Sequence, residues 1–139
     1  MTIETIVVGA LQVNCYLLCS ETTGTALVID PGDEPDAILA AAKARGCRIA
    51  SILLTHAHFD HLLAAGFLQE ETGAPLLMAP EDRPILKHQR ATTQAWLGID
   101  PGDPPQIDRD LVAGEQITEG AITLEVRPTP GHSPGGVTF

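Results

Sequence analysis

Three imidazoles and one carboxylate fall within six residues of this chain, in Thr55-His56-Ala57-His58-Phe59-Asp60-His61. A neutral imidazole and an ionised aspartate are both ready metal donors at pH 7. His56 and His58 stand two apart, straight after the apolar run Ile52-Leu53-Leu54. In extended backbone, residues i and i+2 point to the same side, so both rings can reach one ion. Asp60 and His61 come where the backbone turns into the next helix. Their side chains diverge from the first pair and can reach a second ion; paired metals about 3.5–4 Å apart are a known hydrolytic arrangement. Nitrogen and oxygen donors suit zinc, and also iron or manganese. The cluster contains no cysteine, which excludes a closed thiolate site there and favours an open, catalytic one.

Further residues join this cluster at a distance. His132 lies between Gly131 and Ser133 in a Pro/Gly-rich bend, where the backbone can come close and is held stiff, and is the obvious distant ligand. Asp30 ends an apolar strand. It either orients a ligand imidazole or the metal loop by hydrogen bonding, or merely starts the turn at Pro31-Gly32. Asn14 is a weaker candidate for such a polar role. His88, between Lys87 and Gln89-Arg90, belongs on a solvated helix face.

The elements that must position these side chains can be read in order. Ile3 to Val8, Val13 to Cys19 and Thr25 to Ile29 are strands, the last two a hairpin around Glu21-Thr22-Thr23-Gly24. Pro35 and the acidic residues around it open a helix over Ala37 to Arg45, closed by Gly46. Arg48 to Leu54 is a strand whose continuous apolar character predicts burial on both faces. After the histidine cluster come a helix over Leu62 to Glu71, a short strand at Pro75 to Met78, and one longer helix from Glu81 to Leu97. Trp96 is expected to anchor that helix in the core, with pocket lining as the alternative. Ile99 to Asp110, with its four prolines and glycines, is a loop. Ile122, Leu124 and Val126 alternate with polar residues as in a half-buried antiparallel strand. This order fits mixed sheets covered by helices.

Composition narrows the function classes. The 139 residues suffice for a single domain, 1–139. With 8 Lys+Arg against 18 Asp+Glu the formal charge is −10, which repels phosphate backbones and disfavours nucleic acid as a partner. No apolar run approaches the roughly 20 residues of a membrane helix, and no basic segment with an apolar stretch opens the chain. A cytoplasmic protein without a membrane partner is the expectation. The three cysteines, 15, 19 and 47, form no disulfide pattern; Cys15 and Cys19 read as buried strand thiols.

At this point the motifs resemble a known family. Thr55 to His61 reads T-H-x-H-x-D-H, similar to the signature of the metallo-β-lactamase-fold hydrolases. Asn14-Cys15-Tyr16-Leu17 resembles the early strand of the glyoxalase II-like (hydroxyacylglutathione hydrolase) branch. Val28-Ile29-Asp30-Pro31-Gly32 resembles the first acidic motif, and Pro130-Gly131-His132-Ser133-Pro134-Gly135 the loop of the next histidine. The resemblance spans almost the whole chain. It implies an α+β fold, the αβ/βα sandwich, with metals at one edge. His56, His58 and His132 would hold the first ion, Asp60 and His61 would contribute to a second, and Asp30 would support the ligands from behind. It also implies zinc, one or two ions, and a metal-bound hydroxide that attacks a small-molecule thioester, such as a glutathione conjugate, with catalytic Asp60 orienting it.

The family pattern continues beyond the His132 loop to a bridging Asp and a last His, whereas the sequence in hand ends at Phe139. The expectation is therefore the N-terminal half to two-thirds of the fold, a fragment or a chain completed by association, as a homo-oligomer or with a completing piece. Two rival readings accompany the hydrolase: a glutathione persulfide (sulfur) dioxygenase of the same fold, and an inactive metal-binding or interaction module. Lys87, Arg90 and Arg109 are cations that an anionic substrate could use.

Overall fold

The computed structural model describes residues 1–139. At its centre is a six-stranded sheet in the order β1 (Thr2–Val8), β2 (Val13–Ser20), β3 (Thr25–Ile29), β4 (Arg48–Leu53), β5 (Leu76–Met78) and β6 (Arg109–Asp110). The first three strands form an antiparallel meander through two tight turns, and β3 to β6 run parallel. Parallel neighbours need crossovers. These are α1 (Pro35–Ala44) before β4, α2 (Ala65–Thr72) before β5, and α3 (Arg83–Lys87) with α4 (Gln89–Leu97) before β6.

Strand alternation sorts the apolar side chains onto two faces. Ala26 and Val28 of β3 join Cys15, Leu17, Ile52 and Leu76 in one cluster, closed by Ile38 and Ala42 of α1 and Ala65 and Leu68 of α2. Leu27 and Ile29, with Leu53 and Leu77, face the other way. That second face is covered by Ile117 of β7 (Gln116–Glu119), Ile122 of β8 (Ile122–Glu125) and Val137 of β10 (Val137–Thr138), which pairs with β9 (Arg127–Pro128). Strands β3 and β4 are mostly apolar because both of their faces are covered, as the sequence of β4 predicts, with Arg48 exposed at the start of β4. The result is a mixed sheet sandwiched between helices and short hairpins, the α+β class the element order predicts.

Three expectations need correction. The loop expected over Ile99 to Asp110 ends in β6, where Arg109 and Asp110 pair in parallel with Leu77 and Met78 at the sheet edge. The helix expected over Glu81 to Leu97 is broken. A single 3₁₀ turn at Pro80–Asp82 leads into α3, and His88, at φ −95° and ψ 1°, separates α3 from α4. The segment buries the polar Asp82, Gln89 and Thr93 alongside Leu86, not a continuous apolar stripe. Trp96 is not a core anchor. It lies one turn beyond Thr93 and two beyond Gln89 on α4, where the helix packs on the Phe59–His61 turn. Its ring is 70% exposed and sits 6.4 Å from that of Phe59. His88 is exposed, as expected. No helix is long and apolar enough to cross a membrane.

Candidate metal centre

The centre forms where β3 and β4 end side by side. Asp30 follows Ile29 directly, and its N–H donates to the Leu53 carbonyl at 2.9 Å, so it stands against the chain entering Thr55. It adopts φ 53°, a left-handed conformation that a short polar side chain tolerates better than most. The carboxylate is buried. Its Oδ1 accepts the Thr55 N–H at 2.7 Å; its Oδ2 accepts the Thr55 hydroxyl at 2.6 Å and faces His61 Nδ1 at 3.0 Å. Gly32 then lets the chain pass the metal loop, because a Cβ there would collide with the Asp60 carbonyl oxygen.

Proton positions follow from these contacts. The single hydroxyl proton of Thr55 goes to Asp30. Its oxygen can therefore only accept from His56, whose Nδ1 lies 2.9 Å away. His56 thus carries its proton on Nδ1 and a lone pair on Nε2, and that Nε2 is buried with no hydrogen-bond partner. Leaving such an atom unpaired costs about 1–3 kcal/mol, and a metal cation is a fitting partner for its lone pair. His61 likewise donates from Nδ1 to Asp30, leaving Nε2 free at 3.7 Å from Asp60 Oδ2.

His132 arrives from the far loop with its Nε2 at 2.9 Å from His58 Nδ1. Ring centroids of His56, His58 and His132 are 4.6–4.9 Å apart. The donor atoms of these three residues lie within 4.8 Å of one another, and so do those of Asp30, His56 and His61. This donor set fits a divalent ion. The structure therefore brings His56, His58, His61 and His132 together with Asp30, whereas Asp60 joins neither group and approaches His61 Nε2 at 3.7 Å. Asn14 does not join them; it is exposed on β2 opposite Val7.

Burial pushes the His56 imidazolium down to about 4, with the neighbouring His61, His58 and His132 adding to that effect and Asp30 opposing it. His56 is thus neutral at pH 7, as a ligand must be. Burial also disfavours charge on His61, but the hydrogen bond and charge of Asp30, with Asp60 behind them, outweigh it and hold its pKa above the ordinary value. The thiols are kept out of the chemistry. Burial, with Asp30's charge, pushes Cys15 up to about 12, and burial with Cys47 beside it pushes Cys19 up to about 11.

A pocket of about 320 Å³ opens over His58, Asp60, His61 and His132, walled by Leu11, Phe59 and Trp96. A larger cavity of about 620 Å³ between α2 and the 101–108 loop contains none of the histidines. Arg90 is held by Asp100 and Asp103, and Arg109 by Glu115, so neither is a free cation.

Sequence reasoning missed Asp82. Its Oδ2 accepts the Ala57 N–H at 3.0 Å and the Ser133 hydroxyl at 2.8 Å, and its Oδ1 accepts the Gly135 N–H at 2.6 Å. The available signal was an acidic residue in the turn that follows a buried parallel strand, four residues past Met78 where Asp30 directly follows Ile29.

Residues 8–139 match the sequence model of the metallo-beta-lactamase superfamily. Among curated relatives, the probable metallo-hydrolase YqgX of Bacillus subtilis is 34% identical over 95% of this chain and 62% of its own length. The hydroxyacylglutathione hydrolase GloC of Haemophilus influenzae is 30% identical over 100% of this chain and 66% of its own. Among solved structures, TTHA1623 in a di-iron-bound form superposes with a TM-score of 0.81 at 38% identity, over 96% of this chain and 64% of that one. The chain thus spans 62–66% of the length of these three proteins.

Proposed function

The chain belongs to the metallo-beta-lactamase superfamily, and from that premise we propose that it serves a metal-dependent hydrolase of thioesters or related esters, akin to the hydroxyacylglutathione hydrolases. The observation that carries this reading is the bare, buried Nε2 of His56 beside the converging donors of His58 and His132. His56 Nε2, His58 Nδ1 and His132 Nε2 would hold one ion, and Asp60 with His61 Nε2 would contribute to a second. Zinc is the proposed metal; iron and manganese suit the same donors. Such an ion lowers the pKa of a water and polarises a carbonyl oxygen.

The chain's own residues supply the rest. Asp30 fixes the His61 ring by taking its Nδ1–H, and through Thr55 it fixes the His56 tautomer. Asp60 borders the pocket, where its carboxylate orients the attacking water by accepting a hydrogen bond. Water adds to the carbonyl carbon, the C–S bond breaks, and a carboxylic acid and a thiol leave. Solvent is the nucleophile, in keeping with the buried, protonated cysteines. Leu11, Phe59 and Trp96 offer an apolar wall to the acyl or thiol part, and an S-acyl glutathione is the first substrate to try.

The test is hydrolysis of an S-acyl glutathione by the chelator-stripped chain, with zinc then restored. Activity that returns with zinc and is absent in His58→Ala supports the reading. Turnover at no metal level points to a metal-binding module, and iron alone with oxygen uptake points to the persulfide dioxygenase.

A further inference from the structure

Asp82 is completely buried, at 0% exposure. A carboxylate taken out of water needs strong donors. Asp82 has three, and each belongs to a loop that carries candidate ligands. Ala57 N–H lies between His56 and His58, the Ser133 hydroxyl lies next to His132, and Gly135 N–H follows two residues later. These partners are 25, 51 and 53 residues away in sequence, so one side chain joins two loops that the chain order keeps far apart. The fit is tight: a Cβ on Gly135 would stand 2.8–2.9 Å from Asp82.

His132 depends on its neighbours for position. Neither of its backbone polar groups is hydrogen-bonded within the chain, and the residue is exposed. Ser133, immediately after it, is 3% exposed and fastened to Asp82. Downstream, Val137 N–H donates to the Thr55 carbonyl at 2.9 Å and closes the bend against the same metal loop.

We infer that Asp82 is the positioning residue of the metal centre: by accepting from Ala57, Ser133 and Gly135 at once, it sets the spacing that brings His132 Nε2 to His58 Nδ1. It touches neither substrate nor metal donors. Its geometry stands by itself; its consequence for metal binding rests on the metal reading above. The role requires a group that only accepts. An asparagine has one acceptor oxygen, and its NH₂ must face either the Gly135 N–H or the Ala57 N–H, donor against donor.

The experiment compares the parent chain with Asp82→Asn in zinc affinity, by competition with a chelator, and in the ring-nitrogen NMR signals of His58 and His132 without metal. Loss of an outer hydrogen-bonding partner typically weakens metal affinity about 10–100-fold, and that is the expected result, together with loss of the His58–His132 contact. A variant that melts earlier yet binds zinc like the parent and keeps the contact overturns the inference, for Asp82 is then only a folding residue. Should Asp82→Asn fail to fold, Ser133→Ala removes one of the three bonds: several-fold weaker zinc binding supports the inference and parent affinity overturns it. A parent that takes up no zinc defeats the metal reading alone. The metal-free spectra of Ser133→Ala and Asp82→Asn then decide, a preserved His58–His132 contact counting against Asp82.

Discussion

Asp30 and Asp82 occupy similar stations. Both are buried, both follow the end of a parallel strand, and both work beside a glycine whose backbone passes too close for a side chain, Gly32 against Asp60 and Gly135 against Asp82 itself. They differ in what they hold. Asp30 reaches an imidazole, His61, and the hydroxyl that fixes a second, His56. Asp82 reaches two backbone N–H groups and one serine hydroxyl, and no ring. One corner therefore bonds the rings of candidate ligands, the other ties together the loops that bear them. A metal centre assembled from separate loops needs both kinds of support.

The ligands give the baseline for testing this contrast. His58→Ala should lower thioester turnover by more than the roughly 100-fold that loss of an outer partner costs, and should reduce bound metal in elemental analysis. Parent-like metal content would remove His58 from either corner.

Acid should separate the corners next. An unfolded His56 takes a proton near its ordinary 6.5 and the folded one only near 4, so between these values the unfolded chain binds more protons. Stability of the metal-free protein should fall by about 3 kcal/mol as pH drops through that window, followed by urea unfolding at several pH values. His61 acts in the opposite sense. Its pKa is raised by Asp30, so its contribution is complete below the unfolded value and fades as pH rises through the folded one. Asp30→Asn should abolish that alkaline loss, and Asp82→Asn should leave it in place.

Asp30→Ala leaves the Thr55 N–H without its acceptor and should cost about 1–3 kcal/mol of unfolding free energy in denaturant titration. It should also lower the His61 pKa in an NMR titration, a shift that Asp82→Ala should not produce. The smallest effect belongs to neither corner. Trp96→Ala should raise KM a few-fold for an apolar acyl group, about 1 kcal/mol or less of binding, and leave the melting temperature unchanged. A large fall in kcat would instead place the indole among the positioning groups.

Local physics made one corner readable. The His56-to-His61 cluster and the Asp30 turn lie in short segments where strand periodicity and turn chemistry decide side-chain direction. Their meeting follows from the neighbouring parallel strands β3 and β4. The sequence left Asp30 undecided between ligand support and turn initiation; its left-handed backbone serves both, turning the chain and aiming the carboxylate. Asp82 was hidden because nothing within its own segment bonds its carboxylate. The helix read from Pro84 near its start and Gly98 at its end is interrupted at His88, a break that those two markers do not signal. Trp96 misled because large aromatics are usually buried, but this one lies where its helix covers the metal loop. Strands β1 to β5 and the first crossover helix were readable to within a few residues, since buried sheet faces and the closing glycine leave marks in sequence, whereas the two-residue β6 is too short to leave one.

The exposed indole is also an optical probe already in place. Trp96 is the chain's single tryptophan, so emission excited at the red edge of protein absorption comes from the pocket wall alone. In the empty pocket it should emit as a water-exposed indole. An apolar acyl group covering it should shift that emission to the blue. An open-shell ion such as cobalt held by the nearby histidines should quench it, while zinc, with its filled d shell, should leave it bright. Colour and intensity would then report ligand and ion separately, from one unlabelled side chain.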